Sequence, residues 1–476
     1  MTEPLPAVVV GGGVTGLVAA RTLRRRAPHV PVVLFEASER LGGKVRTVPV
    51  EGAAFEAGAD WFVTRNPAAL DLCRELGLGD DLVEPSARGA LVFSRGALRP
   101  VPPNVRGVPT SVLALARGGV VSPAGAARAL ADAALSGPLS GPDVSIGALV
   151  RRRFGRAVLE RLVDPMVAAA RAGRPDDLSL AAAAPELDAA ARSSRSVARA
   201  LRKAAATVDA PSFLGLRGGM ETLVDALARD AAGVDVRTGA RATEVVAAPG
   251  GYDVHVAGAR PVRAAAVVVT VPAPAAVALV ARLSPAAAGE LRAIPYAGGA
   301  VVALVYPPGT RPHGVAGSGV LVPAVERRTL TACAWYSDKW PHARPPDGSL
   351  VVRCFVGRSA DDRAVALDDD ALATRAADDV AGLTGVTARP RATRVLRWID
   401  ALPEYRVGHL ERVARAERAL SGHPRVALAG AAYRGSGLPD CIAQGRAAAE
   451  RVARALESYG RAGDTLDEPN RERTDS

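Results

Sequence analysis

A chain of 476 residues that is 49% hydrophobic and carries 48 glycines has the length for two or three domains with well-filled cores, and the composition of an α/β protein. Its net charge of +11 comes from arginine spread along the whole chain, with three lysines among 60 basic residues. Aromatic residues make up 4% and none is interleaved with a basic tract, which excludes a nucleic-acid-binding protein and suits an anionic small substrate or an acidic membrane surface better.

Val8-Val9-Val10 is a short β-branched run suited to a buried parallel strand. It leads into Gly11-x-Gly13-x-x-Gly16, then into a helix with Leu17, Ala20 and Leu23 on one face. A second run, Val32 to Phe35, ends at Glu36, 20 residues after Gly16. Strand, glycine turn, helix and acid-terminated strand form the βαβ dinucleotide fingerprint, and that context gives the three glycines their weight. Gly11 permits the tight turn, Gly13 lets a pyrophosphate approach the backbone, and Gly16 lets helix and strand pack closely. At Val14 and Thr15 the helix N-terminus offers N–H groups to phosphate charge. Glu36 can accept hydrogen bonds from both hydroxyls of an adenosine ribose, which disfavours a 2′-phosphorylated dinucleotide.

Arg40-Leu41-Gly42-Gly43-Lys44 then sets a glycine doublet between cations. This resembles the second signature of the large flavoprotein group that includes amine oxidases and phytoene desaturases. The resemblance implies FAD, with Gly42 and Gly43 against its diphosphate and isoalloxazine and the basic Arg40 and Lys44 beside them, Lys44 at a phosphate. Glu56-x-Gly58-Ala59-Asp60-Trp61 extends the likeness, because that group brings such a segment back against the flavin.

Asn66-Pro67 predicts a helix over 66–82, ending near Gly77 or Gly79. Residues 91–104 alternate like a hairpin turning at Arg95-Gly96. From Thr110 to about Lys203 the pattern is helical and rich in Ala and Leu, broken by a loop at 136–142. Strands are predicted at 234–237, 242–246, 252–256 and 266–271, the last a buried parallel strand ending in Pro272. Further β-rich runs fill 293–356, notably 300–305 and 350–355. A helix at 370–383, a strand at 391–398, a buried strand at 426–430 and a helix at 440–456 follow, and from Gly460 the charged, polar chain reads as disordered. Cys73, Cys333, Cys354 and Cys441 show neither metal nor disulfide spacing, and the six histidines do not cluster with cysteine or carboxylate. No apolar run reaches the roughly 18 to 20 residues of a spanning helix. Met1 to Pro6 carries neither a basic nor an apolar leader region, so the reading is a cytoplasmic protein with reduced thiols and no metal.

Three later stretches narrow the likeness: Asp164-Pro-Met to Leu180, Phe213-Leu-Gly-Leu-Arg-Gly-Gly-Met to Val224, and Ala429-Gly-Ala-Ala-Tyr-Arg-Gly-Ser-Gly-Leu to Ile442. With the N-terminal block they resemble the FAD-dependent protoporphyrinogen and coproporphyrinogen oxidases of haem synthesis, from about residue 7 to residue 455. The fold implied is α/β. It has a discontinuous Rossmann-like FAD-binding domain (1–85, 207–292 and 395–460), an α-helical insert (86–206) shaping the pocket with at most peripheral membrane association, and a mainly antiparallel β substrate-binding domain (293–394). A disordered tail would occupy 461–476. The likeness puts the Val245 backbone against the adenine and Trp398 near the flavin. It puts Gly437 and Leu438 by the isoalloxazine, where the last helix can aim its N-terminus. The activity implied takes six electrons from coproporphyrinogen III to give coproporphyrin III, with O2 reduced to peroxide three times and a ferrochelatase as the succeeding partner. The flavin carries that chemistry, and no acid–base residue is nominated.

Coproporphyrinogen has four carboxylates, and Arg95 matches where some relatives present an arginine to them. One departure stands out. Where relatives of this type read Gly-Val-Tyr-Ala-Gly-Asp, this chain has Ala169-Ala-Arg171-Ala-Gly-Arg174, so a pocket glycine becomes Ala169, an aromatic Arg171 and an acid Arg174. Other readings remain open. They are protoporphyrinogen IX as substrate, a flavin oxidase or desaturase acting on an amine or polyene, and a non-catalytic relative that keeps the fold to bind.

Overall fold

The computed structural model describes residues 4–86, 89–134, 138–205, 213–312, 317–359, 361 and 363–464, which fold as two compact units. The first takes in Met1–Gly43, Leu223–Ala293 and the chain from Val413. At its centre is a wholly parallel sheet in the order Asp235–Arg237, Val32–Phe35, Ala7–Val10, Ala266–Val269, Val426–Leu428. Numbered along the chain this is 3-2-1-4-5, the doubly wound order whose direction reverses beside the first strand. Ala7–Val10 and Ala266–Val269 are buried at every residue, which is why their sequences show unbroken apolar runs rather than alternation. Helix Val14–Arg26 ends in three arginines, placed at the negative end of its dipole. The last helix, Leu438–Asp464, packs on it. Residues 461–464, expected in the tail, continue that helix, because its Ala-, Glu- and Arg-rich turns propagate it; residues 465–476 lie outside the described residues. A small antiparallel sheet, Ala242–Ala248, Gly251–Val256 and Val262–Ala264, also belongs to this unit.

The second unit takes in Lys44–Thr222 and Ile294–Arg412. Its seven-stranded sheet runs Ala392–Pro403, Tyr296–Tyr306, Leu350–Val356, Leu330–Trp335, Gly319–Leu321, Leu91–Ser94, Ala97–Pro100, antiparallel except where Gly319–Leu321 meets Leu91–Ser94. The hairpin expected inside the helical insert is therefore part of this sheet. Its turn takes positive φ at Arg95 (57°) and Gly96 (73°), which suits the twist of a two-residue hairpin. Residues 44–85, 213–222 and 395–412, expected with the nucleotide-binding domain, also fall here. Burial is the reason. Val48, Val50, Ala53 and Phe55 of the hairpin Thr47–Val50/Ala53–Glu56 pack on Val301, Ala303, Val305 and Leu396, and Ala392–Pro403 pairs along Tyr296–Tyr306.

The Ala-rich stretch has its own core, including Leu149, Phe154, Leu162 and Leu187, and is cut into short helices by the serine caps Ser111, Ser122, Ser145 and Ser179. Residues 136 and 137 of the loop expected there lie outside the described residues. The helix expected over 66–82 spans Ala68–Glu75, with Gly77 at φ 75° in the left-handed conformation that ends helices. Among the described residues no helix is long and apolar enough to cross a membrane, and no group of His, Cys, Asp and Glu could hold a metal. All four cysteines are free thiols.

Candidate functional site

In the first unit the glycine turn lies at the C-terminal end of the first parallel strand. Gly11 adopts φ 109°, and a Cβ added at Gly16 would fall 1.8 Å from the Gly11 carbonyl oxygen, so strand end and helix meet as the fingerprint requires. A Cβ at Gly13 would meet only the Gly43 Cα, at 3.9 Å. Gly13 opens helix Val14–Arg26 without a side-chain cap and without an acidic residue in the first turn. Those first-turn N–H groups have no intrahelical acceptor and form an anion-binding end. The glycine doublet lies alongside: Gly42 N–H donates to the Gly12 carbonyl at 2.9 Å, and Arg40 shapes this loop by donating to the Leu41 carbonyl at 2.9 Å. Glu36 stands at the end of the second strand. Its Oε2 accepts Gly12 N–H at 2.6 Å, while Oε1 accepts Ser38 N–H at 2.8 Å and the Ser38 hydroxyl at 2.7 Å. The carboxylate is thus oriented, with acceptor capacity left on Oε2 for a ribose hydroxyl.

The same unit holds Val245, fully buried in Ala242–Ala248, and the loop from Gly430 to Gly437. Gly430 and Gly435 take φ 122° and 114°, and Cys441 N–H donates to the Gly437 carbonyl at 2.9 Å, so that Gly437 and Leu438 make the first turn of the last helix. Two groups that the sequence reading passed over hold this cradle. The Thr270 hydroxyl donates to the carbonyls of Val10 and Gly11 at 2.9 and 3.0 Å, and Gly445 admits the Thr15 carbonyl. The signal for Thr270 was there, a lone hydroxyl ending an all-apolar strand.

In the second unit the segment Glu56–Trp61 follows a strand and makes a pinned turn. Trp398 Nε1 donates to the Ala57 carbonyl at 2.7 Å, and Arg353 donates to the Gly58 carbonyl. Gly58 itself lies against the Lys44 backbone, since a Cβ there would fall 1.8 Å from the Lys44 carbonyl oxygen. The Lys44 ammonium stands 6.0 Å from the Tyr296 ring centroid. Asp60 points inward, to Lys339 at 2.7 Å and Arg353 at 2.8 Å. Burial alone would raise its carboxyl, but the two cations outweigh that and hold it well below the usual carboxylate range. The Trp61 ring meets Phe213 edge-on at 4.3 Å. Glu56 is buried, its Oε1 accepting Met220 N–H at 2.6 Å and the Thr47 hydroxyl at 2.9 Å, while Oε2 has no partner. Desolvation pushes this carboxyl up to about 7, against the lowering pull of those two bonds and of Arg353.

The substrate candidates also lie in the second unit. Arg95 is exposed on its hairpin turn, its guanidinium 3.4 Å from the Val121 carbonyl. Ala169 and Arg171 belong to helix Asp164–Arg171 and are half-buried. The Arg171 guanidinium lies 5.4 Å from the centroid of Tyr405, a fully buried ring stacked on His409 at 4.0 Å. Arg174 is exposed beside Asp177.

A model of the flavin-containing amine oxidoreductases matches residues 14–453. The chain belongs to this family. It is an FAD-dependent oxidase, and the uncapped helix start, the open position at Gly13 and the oriented Glu36 fit the diphosphate and ribose of that cofactor. Among proteins similar to this oxidase, coproporphyrinogen III oxidase of Bacillus subtilis (strain 168) is 32% identical over 93% of this chain and 96% of its own. Coproporphyrinogen III oxidase of Mycobacterium bovis is 37% identical over 94% of this chain and 98% of its own. A crystal structure from Exiguobacterium sp. 255-15 superposes with a TM-score of 0.86 at 30% identity, covering 96% of this chain and 100% of that one. The likeness read from the motifs is borne out, and so are the α/β fold class and FAD.

Proposed function

We propose that this oxidase converts coproporphyrinogen III to coproporphyrin III, six hydrogens leaving the macrocycle as three O2 become three H2O2. The observation that carries the reading is the full-length likeness to proteins of that name, on a chain whose nucleotide cradle is intact. Bound FAD supplies the two-electron acceptor that oxygen restores. The chain's own residues bind and orient. The first-turn N–H groups at Val14, Thr15 and Gly16 meet the diphosphate, beside Gly11, Gly13, Gly42 and Gly43. Glu36 accepts from the ribose, and the Val245 backbone meets the adenine. By the family resemblance Gly58, Ala59, Trp61, Trp398, Gly437 and Leu438 are each assigned to the flavin ring system, and Lys44 to a phosphate. Arg95 and Arg171 serve the substrate's carboxylates, for which a planar guanidinium offers two parallel hydrogen bonds. The cytoplasm is the compartment we assign, with a ferrochelatase receiving the product.

The test is aerobic porphyrin fluorescence on FAD-loaded protein given coproporphyrinogen III and protoporphyrinogen IX in parallel. Emission should rise with matching peroxide, faster on the tetracarboxylate. A flavin-loaded protein that leaves both at the autoxidation rate would sink the reading.

A further inference from the structure

Beneath the turn Ala57–Asp60 of the second unit lies a charge cluster that binding and substrate assignments leave unused. Arg353 comes from the middle of the seven-stranded sheet and is 2% exposed; Lys339 comes from the short helix Tyr336–Lys339. Both reach the Asp60 carboxylate, and Trp340 Nε1 approaches it at 3.3 Å. Stability does not account for such a cluster, because well-packed apolar residues replace buried ion pairs at little or no loss. What the cluster does is orient a turn. The carbonyls of Ala57 and Gly58 are drawn inward by Trp398 and Arg353, while the N–H groups of Gly58, Ala59 and Asp60 find no acceptor among the described residues. Gly58 is half-buried and Ala59 exposed, so the turn presents its N–H groups while the two carbonyls at its start are turned inward.

We propose that Arg353 is a positioning residue of the oxidation: by holding the Gly58 carbonyl inward it keeps the Gly58–Ala59 N–H groups, and not that carbonyl, facing the carbonyls and ring nitrogens of the flavin. This rests on the flavin assignment of the preceding subsection. Lys339 supplies the internal control. It carries the same charge to the same carboxylate but bonds to no carbonyl of the turn. Removing either cation leaves Asp60 with the other.

The experiment compares Arg353→Met, Arg353→Lys and Lys339→Met, titrating each with FAD and recording the dissociation constant, the bound-flavin absorption spectrum and the melting midpoint. Both Arg353 variants should weaken FAD by about tenfold, the loss of one charge-assisted hydrogen bond, and shift the flavin spectrum. Lys339→Met should leave the spectrum in place and the dissociation constant within about twofold, since Arg353 still pairs with Asp60 and its bond to the Gly58 carbonyl is untouched. Equal effects of Arg353→Met and Lys339→Met would overturn the proposal, as would Arg353 variants with an unchanged spectrum and affinity. If Arg353→Met does not fold, Arg353→Lys decides, because it keeps the charge and loses the forked reach to Asp60 and Gly58 together. Wild-type protein that takes up no FAD would instead sink the functional reading, and this proposal with it.

Discussion

Glu56 is the residue whose chemistry departs furthest from its sequence appearance. It links three segments, its own strand end, Thr47 nine positions back, and the Met220 N–H 164 positions on. Burial holds its carboxyl at about 7 rather than 4.5, so the folded chain keeps a proton there that the unfolded chain has released. A raised carboxyl stabilises the fold fully below about pH 4.5, and that stability is lost as pH rises through about 7. At about 1.4 kcal/mol for each tenfold in the proton equilibrium, the span comes to about 3 kcal/mol. Glu56→Gln keeps an acceptor for Met220 and Thr47 but cannot ionise. We expect its denaturation midpoint to lose the fall that wild type shows between about pH 5 and pH 8, measured by urea unfolding across that range. Parallel pH profiles for the two proteins would show that Glu56 does not titrate in this window. Glu56 was legible as part of a flavin-facing motif; its partners were not, because hydrogen bonds across 164 residues leave no periodic trace.

At the scale of elements, the parallel sheet and its glycine turn were readable because buried strands write continuous apolar runs and the phosphate turn needs glycine at fixed offsets. The join between the first and last helices was not. Gly445 sits mid-helix, where sequence alone registers a propensity cost, yet a Cβ there would fall 2.5 Å from the Thr15 carbonyl oxygen. The assignment of the hairpin Thr47–Glu56 was likewise hidden, since its alternating apolar face does not say which sheet covers it. Gly445→Ala tests the join. Helix propensity favours alanine by about 1 kcal/mol, so a mutation judged by propensity would stabilise. The backbone carbonyl cannot move aside cheaply, and we expect a net loss of roughly 1–3 kcal/mol in unfolding, together with weaker FAD retention because Thr15 lies in the phosphate turn. A more stable variant with unchanged FAD affinity would mean the two helices separate without consequence.

For the molecule as a whole the net charge of +11 enters binding as a field, beyond any single contact. Coproporphyrinogen III carries four carboxylates and protoporphyrinogen IX two, so attraction to the summed charge acts about twice as strongly on the first. Raising salt from about 0.1 to about 1 M shortens the screening length from about 10 to about 3 Å, which removes the field and leaves contacts nearly intact. The logarithm of kcat/KM against the logarithm of ionic strength should therefore fall about twice as steeply for the tetracarboxylate, both slopes being measured on the same FAD-loaded preparation. Arg95→Ala separates contact from field. One charge removed from an excess of 11 barely alters the field, so the salt slope should stay within error of wild type. The loss of a bidentate partner should raise KM for coproporphyrinogen III and spare protoporphyrinogen IX. Equal salt slopes for the two substrates would remove long-range charge from recognition. Equal KM shifts in Arg95→Ala would then remove Arg95 as well, leaving Arg171 on its Tyr405 platform as the remaining guanidinium among the residues assigned to the pocket.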